Sequence, residues 1–300
     1  MSGTSVVTAM LAQTIRMAVP YACAALGGVW SERSGVVNIA LEGILLAGGL
    51  GGVIAHVATG SAVLGVVAGA LAGALFALVH ALLAAGWRVD AIVSGLALNV
   101  VAAGGTRFVL RALYDSSSNS PVVAGFHVGG PLLVRTLFDP MTLLAVLVAA
   151  SSAWVLFRTR FGLRMRACGE DPVAAASVGV AVVRTRIVAV TIGGAICGLG
   201  GVALAFDQHQ FQSGMSGGRG YIALAAVIVA GWRPMRAVAA CLVFAALDAL
   251  EIVLQTETRA LKDVMTMLPY VATLVALVAL SRRRASTSGR APSGLGRHAT

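Results

Sequence analysis

Nine runs of mostly apolar residues constrain this chain more than any other feature. They fall at roughly residues 5–29, 36–58, 61–86, 91–113, 139–157, 187–206, 220–232, 237–254 and 264–280. A bilayer core about 30 Å thick takes about 20 residues of α-helix to cross, and inside it every backbone amide and carbonyl must find a partner within the protein, which helices provide. With 58% of the 300 residues hydrophobic and only 11% charged, the expected fold is all-α, a polytopic transmembrane bundle of about nine segments, within a range of about eight to ten. The seventh run is short and reads as a half-span or as part of a neighbour. The first holds Arg16 and Pro20 and lacks a basic start, so it reads as a retained helix and not as a cleaved leader.

The basic residues are dispersed among short loops and a tail. Placing residues 31–35, 86–90, 158–186, 232–236 and 281–300 on one side collects 15 of the 22 Lys and Arg, and the side that gathers them is expected to be cytoplasmic. The net charge of +10 thus reports orientation; no clustered basic face with interleaved aromatics points to nucleic acid. Residues 1–281 read as one membrane domain. Residues 282–300, small, polar and basic, read as a disordered cytoplasmic tail. The longest outward loop, 114–131, serves as a docking surface or only as a link.

Enzymatic chemistry finds little support. The only lysine, Lys262, does not sit in a phosphate-binding GxxxxGK[ST] loop. The stretch "GMSGG", Gly214 to Gly218, matches GxSxG, but the only later histidine is His298 in the tail, so no base is placed to activate Ser216. Cys23, Cys168, Cys197 and Cys241 and the five histidines show no metal-ligand spacing. Gly65, Gly69 and Gly73, and separately Gly194 and Gly198, form GxxxG steps of the kind that lets membrane helices approach closely.

Polar residues inside apolar runs are the functional candidates, because an ionisable group near the bilayer centre costs about 2.5 to 3.5 kcal/mol on insertion scales. Ser34, Asn38 and Glu42 recur every fourth residue, which on a continuous helix makes one polar stripe. The stripe faces either a translocation path, where a carboxylate and an amide can bind sugar hydroxyls or a base, or a neighbouring helix as a clamp. Asn99 is a second path candidate, with Asp90 the cap of its helix. Asp248, Glu251 and Gln255 step toward the outer side as a third set, Asp248 being the path candidate among them. Glu32 and Arg33 read as a local ion pair.

The loop "RTRFGLRMRACGEDPVAAASVGVAVVRTR", Arg158 to Arg186, combines basic ends, a Gly-Glu-Asp-Pro turn and a short run of small helix formers. Its Ala174, Ala175 and Gly179 match the AAxxxG core of the loop by which ABC importer permeases engage their ATPase. Together with "ALGGVWSERSGVVNIALEGILLAGG", "VDAIVSGLALNVVAAG", "GGRGYIALAAVIVAGWRPM" and "MLPYVATLVALV", it resembles permeases of the branched-chain amino acid and ribose type across residues 25–280. The form "SERSGVVNIALEG" is most similar to the simple-sugar and nucleoside subgroup, in particular the shorter of its two permeases. Two positions depart from the pattern: Asp171 stands where Asn is frequent, and so does Arg233.

The resemblance implies an importer subunit without bond chemistry of its own, paired with a second permease, a cytoplasmic ATPase carrying two nucleotide-binding modules and an extracellular substrate-binding lipoprotein. ATP belongs to the partner, and this chain carries no cofactor. The coupling candidates are Arg166, Gly169, Ala174, Ala175 and Gly179. An ion- or proton-coupled transporter or channel is the alternative class, and branched-chain amino acids are the alternative substrate.

Overall fold

The computed structural model describes residues 3–257, 271 and 291–296. Its helices are α1 (Gly3–Arg33), α2 (Leu41–Thr59), α3 (Ala62–Ala81) running into a π-turn (Leu82–Gly86), α4 (Ala91–Tyr114), α5 (Leu132–Leu137), α6 (Pro140–Arg158), α7 (Arg160–Glu170), α8 (Pro172–Ser177), α9 (Val182–Asp207), α10 (Arg219–Ala230) and α11 (Pro234–Glu257). Among the described residues the only strand-like pairing is an isolated bridge between Asn119 and Gln212.

Among the described residues six helices are long and apolar enough to cross a membrane, namely α1, α2, α3 with its π-turn, α4, α6 and α9; these account for six of the about nine expected segments. The seventh run becomes α10, whose 12 residues reach about 18 Å at 1.5 Å per residue, well short of the hydrocarbon thickness. The eighth is α11. The ninth lies outside the described residues apart from Val271.

Local chemistry sets several of the boundaries. Asp90, Asp139 and Asp171 each accept from the second and third amides of α4, α6 and α8, and Pro140 and Pro172 fill the first helical position, where a missing N–H costs nothing.

The core is a backbone-to-backbone seam joining α9 to α1, α2 and α3. A Cβ on Gly73 would stand 2.5 Å from the carbonyl oxygen of Gly194, and one on Gly198 would stand 2.5 Å from that of Gly69. On the other flanks, a Cβ at Gly48 would lie 2.4 Å from the Gly198 Cα and one at Gly27 2.5 Å from the Gly193 oxygen. The two GxxxG patterns therefore pack on each other. Lipid is as apolar as a leucine side chain, so close contact between such surfaces supplies the association that the hydrophobic effect cannot.

The loops that carry most of the basic residues meet at one end of the bundle. Arg33 Nε donates to the Trp232 carbonyl (2.9 Å), and Arg186, buried, donates to the carbonyls of Ser34 (3.0 Å) and Cys168 (3.1 Å). A small cavity of about 100 Å³ is lined there by Gly35, Asp90, Arg186 and Gly296, among others. Glu32 and Arg33 are drawn to Trp232 instead of to each other: the indole Nε1 donates to the buried Glu32 carboxylate (2.5 Å), while Arg33 also faces Glu170 at 3.9 Å. Of the tail expected to be disordered, residues 291–296 form a turn seated on this end, with Gly294 N donating to Gly169 O and Gly296 N to Gly35 O, both at 2.9 Å. Main-chain bonds hold it, a possibility that composition does not register. The rest of the tail lies outside the described residues.

Gly198→Ala is expected to destabilise the protein by about 1 to 3 kcal/mol through overpacking against backbone. Gly104→Ala, where an added Cβ meets nothing within 4 Å, should be neutral or stabilising. Thermal unfolding of the two purified variants in detergent makes the comparison.

Candidate functional site

The stripe expected from Ser34, Asn38 and Glu42 requires a helix running through all three, but the chain leaves the helix after Arg33 and resumes it at Leu41. Gly35 takes a left-handed φ of +97°, and an added Cβ there would lie 2.6 Å from the Arg186 guanidinium. Asn38, fully buried, accepts from the Ala40 amide (3.1 Å) and donates to Ser31 Oγ (2.9 Å), the local bonding by which Asn competes with a helix. His80 of α3 braces the turn through Nε2 against the Val37 carbonyl (3.0 Å) and Nδ1 against Ser94 Oγ (2.7 Å). A carbonyl can only accept, so Nε2 carries a proton, and in the neutral ring Nδ1 then accepts from the hydroxyl.

Breaking the chain here leaves helix-start amides to satisfy within an apolar bundle. At the start of α2, Asn99 of α4 accepts from Gly43 N (2.8 Å), while its amide nitrogen donates to Ile39 O (2.9 Å) and to the Tyr221 hydroxyl (3.0 Å). Glu42, the second residue of α2, closes the start of α10. One carboxylate oxygen accepts from Ser216 Oγ (2.6 Å) and Gly218 N (2.8 Å), and the other from Gly220 N (2.8 Å). The N-terminal dipole of α10 favours a negative charge at this point. The approach is so close that a Cβ at Gly220 would stand 2.4 Å from Glu42 N.

Asp248 of α11 is buried and accepts from the Tyr21 hydroxyl of α1 at 2.6 Å. The Arg219 guanidinium lies 5.9 Å from the Tyr21 ring centre and donates back to the carbonyls of Met215 (3.0 Å) and Ser216 (3.3 Å). Asn38, Glu42 and Asn99 thus gather around the starts of α2 and α10, whereas Asp248 joins α11 to α1. Ser216, Arg219, Tyr21 and Tyr221 complete these sets, and sequence reasoning did not single them out as partners. A polar, glycine-rich "SGMSGGRG" ahead of an unusually short apolar run was the available signal. The side chain of Gln255 lies outside the described residues.

The coupling candidates divide into two groups. Gly169 presses on the end of α1, where a Cβ would meet the Arg33 carbonyl oxygen at 2.3 Å, and Ala175 is buried beside Cys168 and Val182. Arg166 lies over the Phe157 ring at 5.0 Å. These three fix the loop to the body of the protein. Burial pushes the Cys168 thiol up, against the opposing influence of Arg186 and Thr185, which leaves it a packing residue. Ala174 and Gly179 instead lie on an exposed ledge with Val173 and Val178, the latter 78% exposed.

Residues 10–277 match the family described as branched-chain amino acid transport system / permease component. The chain belongs to this permease family. The permease is 35% identical to the guanosine ABC transporter permease of Bacillus subtilis over 88% of its own length and 89% of that protein's. It is 33% identical to the nucleoside ABC transporter permease of Lactococcus lactis, covering 89% and 90%, and 35% identical to a putative glucose ABC transporter permease of Haloferax volcanii, covering 84% and 79%. It is the permease subunit of an ABC importer, and ATP hydrolysis belongs to a separate ATPase.

Glu42→Gln in the permease would turn an amide donor toward one of three donors that now meet carboxylate oxygen. A loss of about 1 to 3 kcal/mol in stability is expected, with a smaller loss for Ser216→Ala, which leaves both backbone bonds to Glu42 intact. Detergent melting curves of the two variants test the ranking; a Glu42→Gln protein as stable as the parent would remove the clamp.

Proposed function

We propose that this permease passes nucleosides, or chemically similar simple sugars, inward across the bacterial cell membrane. It does so together with a second permease, an extracellular substrate-binding lipoprotein and a cytoplasmic ATPase with two nucleotide-binding modules. The observation that carries the reading is the near full-length similarity to relatives named for guanosine and nucleosides. In this reading the basic end faces the cytoplasm, and the Val173–Gly179 ledge receives the ATPase. The exposure of Val178 beside small residues supports that role, since a small apolar ledge accepts close docking.

Asn38, Glu42, Asn99 and Asp248 serve the path by fixing its wall. The bonds of Glu42 and Asn99 tie α2, α4 and α10 together and that of Asp248 ties α11 to α1, so that ATP-driven motion of the loop reaches the half-length α10 through bonded side chains and not through loose helix ends. Inward and outward exposure then exchange as two arrangements of one packed unit.

Uptake measured in cells expressing the complete transporter should be competed by unlabelled guanosine or uridine and not by leucine, with ribose competing only if the sugar is the recognised part. Competition by leucine alone would reassign the substrate to branched-chain amino acids. Uptake that follows a proton or ion gradient and ignores ATP depletion would replace the importer by a secondary transporter.

Val178→Asp puts a charge on the ledge without touching the core. Uptake and ATPase co-purification should both fall at unchanged permease yield. Normal uptake would place ATPase docking elsewhere.

A further inference from the structure

The tail turn at residues 291–296 has no part in the path or in the ledge, yet it is built into the joint between them. Ser293 N donates to the Glu170 carboxylate (3.2 Å) and Ser293 Oγ to the Glu170 carbonyl (2.5 Å). Gly294 N donates to Gly169 O (2.9 Å) and Gly296 N to Gly35 O (2.9 Å). Pro292 and Gly294 are buried, and Leu295 packs against the main core. The seat is fitted: a Cβ on Gly294 would stand 2.8 Å from Gly169 O and 2.9 Å from Pro172 Cδ.

These bonds have two different anchors. Gly169 and Glu170 end α7, immediately ahead of α8 and the exposed ledge, whereas Gly35 belongs to the turn that leads into α2 and the Glu42 clamp. Any displacement of the ledge relative to α2 must stretch or break a segment bonded to both. The polar bonds of Ser293 are exposed, so they can open and re-form during a cycle.

We propose that residues 291–296 are an autoinhibitory strap that holds the α7–α8 unit against the α1–α2 turn and keeps ATP hydrolysis low until substrate is delivered. This rests on the ATP-driven importer reading above. The strap stabilises the arrangement in which it is seated, and its release lowers the threshold for the motion that couples hydrolysis to transport.

The test uses the complete complex, with both permeases and the ATPase, in proteoliposomes. Gly294→Val removes the room for the strap, and Ser293→Glu sets a second carboxylate against Glu170. Each should raise ATP hydrolysis in the absence of binding protein by about fivefold, the change in a two-state equilibrium expected from losing about one net hydrogen bond. The pair Glu170→Cys with Ser293→Cys should form a disulfide, since the two residues are already in hydrogen-bond contact, and the native cysteines, Cys23, Cys168, Cys197 and Cys241, all buried, should not compete for it. Oxidised, it should hydrolyse more slowly than the parent complex; reduced, it should behave like the released variants.

Failure of the 170–293 disulfide to form would overturn the strap. So would a bridged complex whose hydrolysis equals that of its reduced form. A segment that only completes the fold would lower the melting temperature in Gly294→Val without raising basal hydrolysis, and that result also overturns the proposal. An unmodified complex that hydrolyses no ATP with or without binding protein would instead sink the importer reading and take the strap's role with it.

Discussion

A helix that begins within an apolar bundle exposes amides that need partners from the protein, and the carboxylate of Glu42 answers this for α10. Its two oxygens take Ser216 Oγ, Gly218 N and Gly220 N, while Asn99 takes Gly43 N at the start of α2. Leaving such donors unsatisfied in hydrocarbon would cost several kcal/mol each. The short α10 is therefore possible because α2 carries an acceptor at its second residue and Gly220 lets the two chains touch.

Clamp and glycine seam divide the work. Gly48 on α2 and Gly69 and Gly73 on α3 bring those helices onto the α9 backbone, which sets where the α2 start lies. Packing of this kind has little lateral tolerance, because backbone atoms cannot turn aside as side chains can. The clamp then transmits that position to α10, and the bond from Tyr21 to Asp248 ties α11 to α1. At the basic end, Arg186 bonds both to the α1–α2 turn and to the carbonyl of Cys168, so the loop that carries the ledge shares a joint with the broken entry to α2.

Much of the architecture could be read directly. Apolar run lengths pointed to the six helices that, among the described residues, are long and apolar enough to cross, the charge bias grouped loops that do share one end, and Asp90 was legible as a helix cap. The helical stripe was not, because periodicity presumes a continuous helix and cannot register a break that Asn38 and Gly35 make locally and that Arg186, distant in sequence, holds in place. Of the residues singled out in the Arg158–Arg186 loop, burial divides what the pattern could not: Gly169 and Ala175 face inward while Ala174 and Gly179 face out.

The sequence by itself determined that this chain is helical and lives in a membrane, because length, apolarity and charge bias act through the bilayer whatever the final packing; its place among transport permeases was carried instead by motifs that resemble that family. Only the tertiary structure decided that Glu42 closes the start of α10, that Glu32 and Arg33 both turn to Trp232, and that residues 291–296 dock at the basic end. Each of those is a bond between groups distant in sequence. Its partner is chosen by how closely the glycine-lined helices approach, a distance that no local pattern encodes.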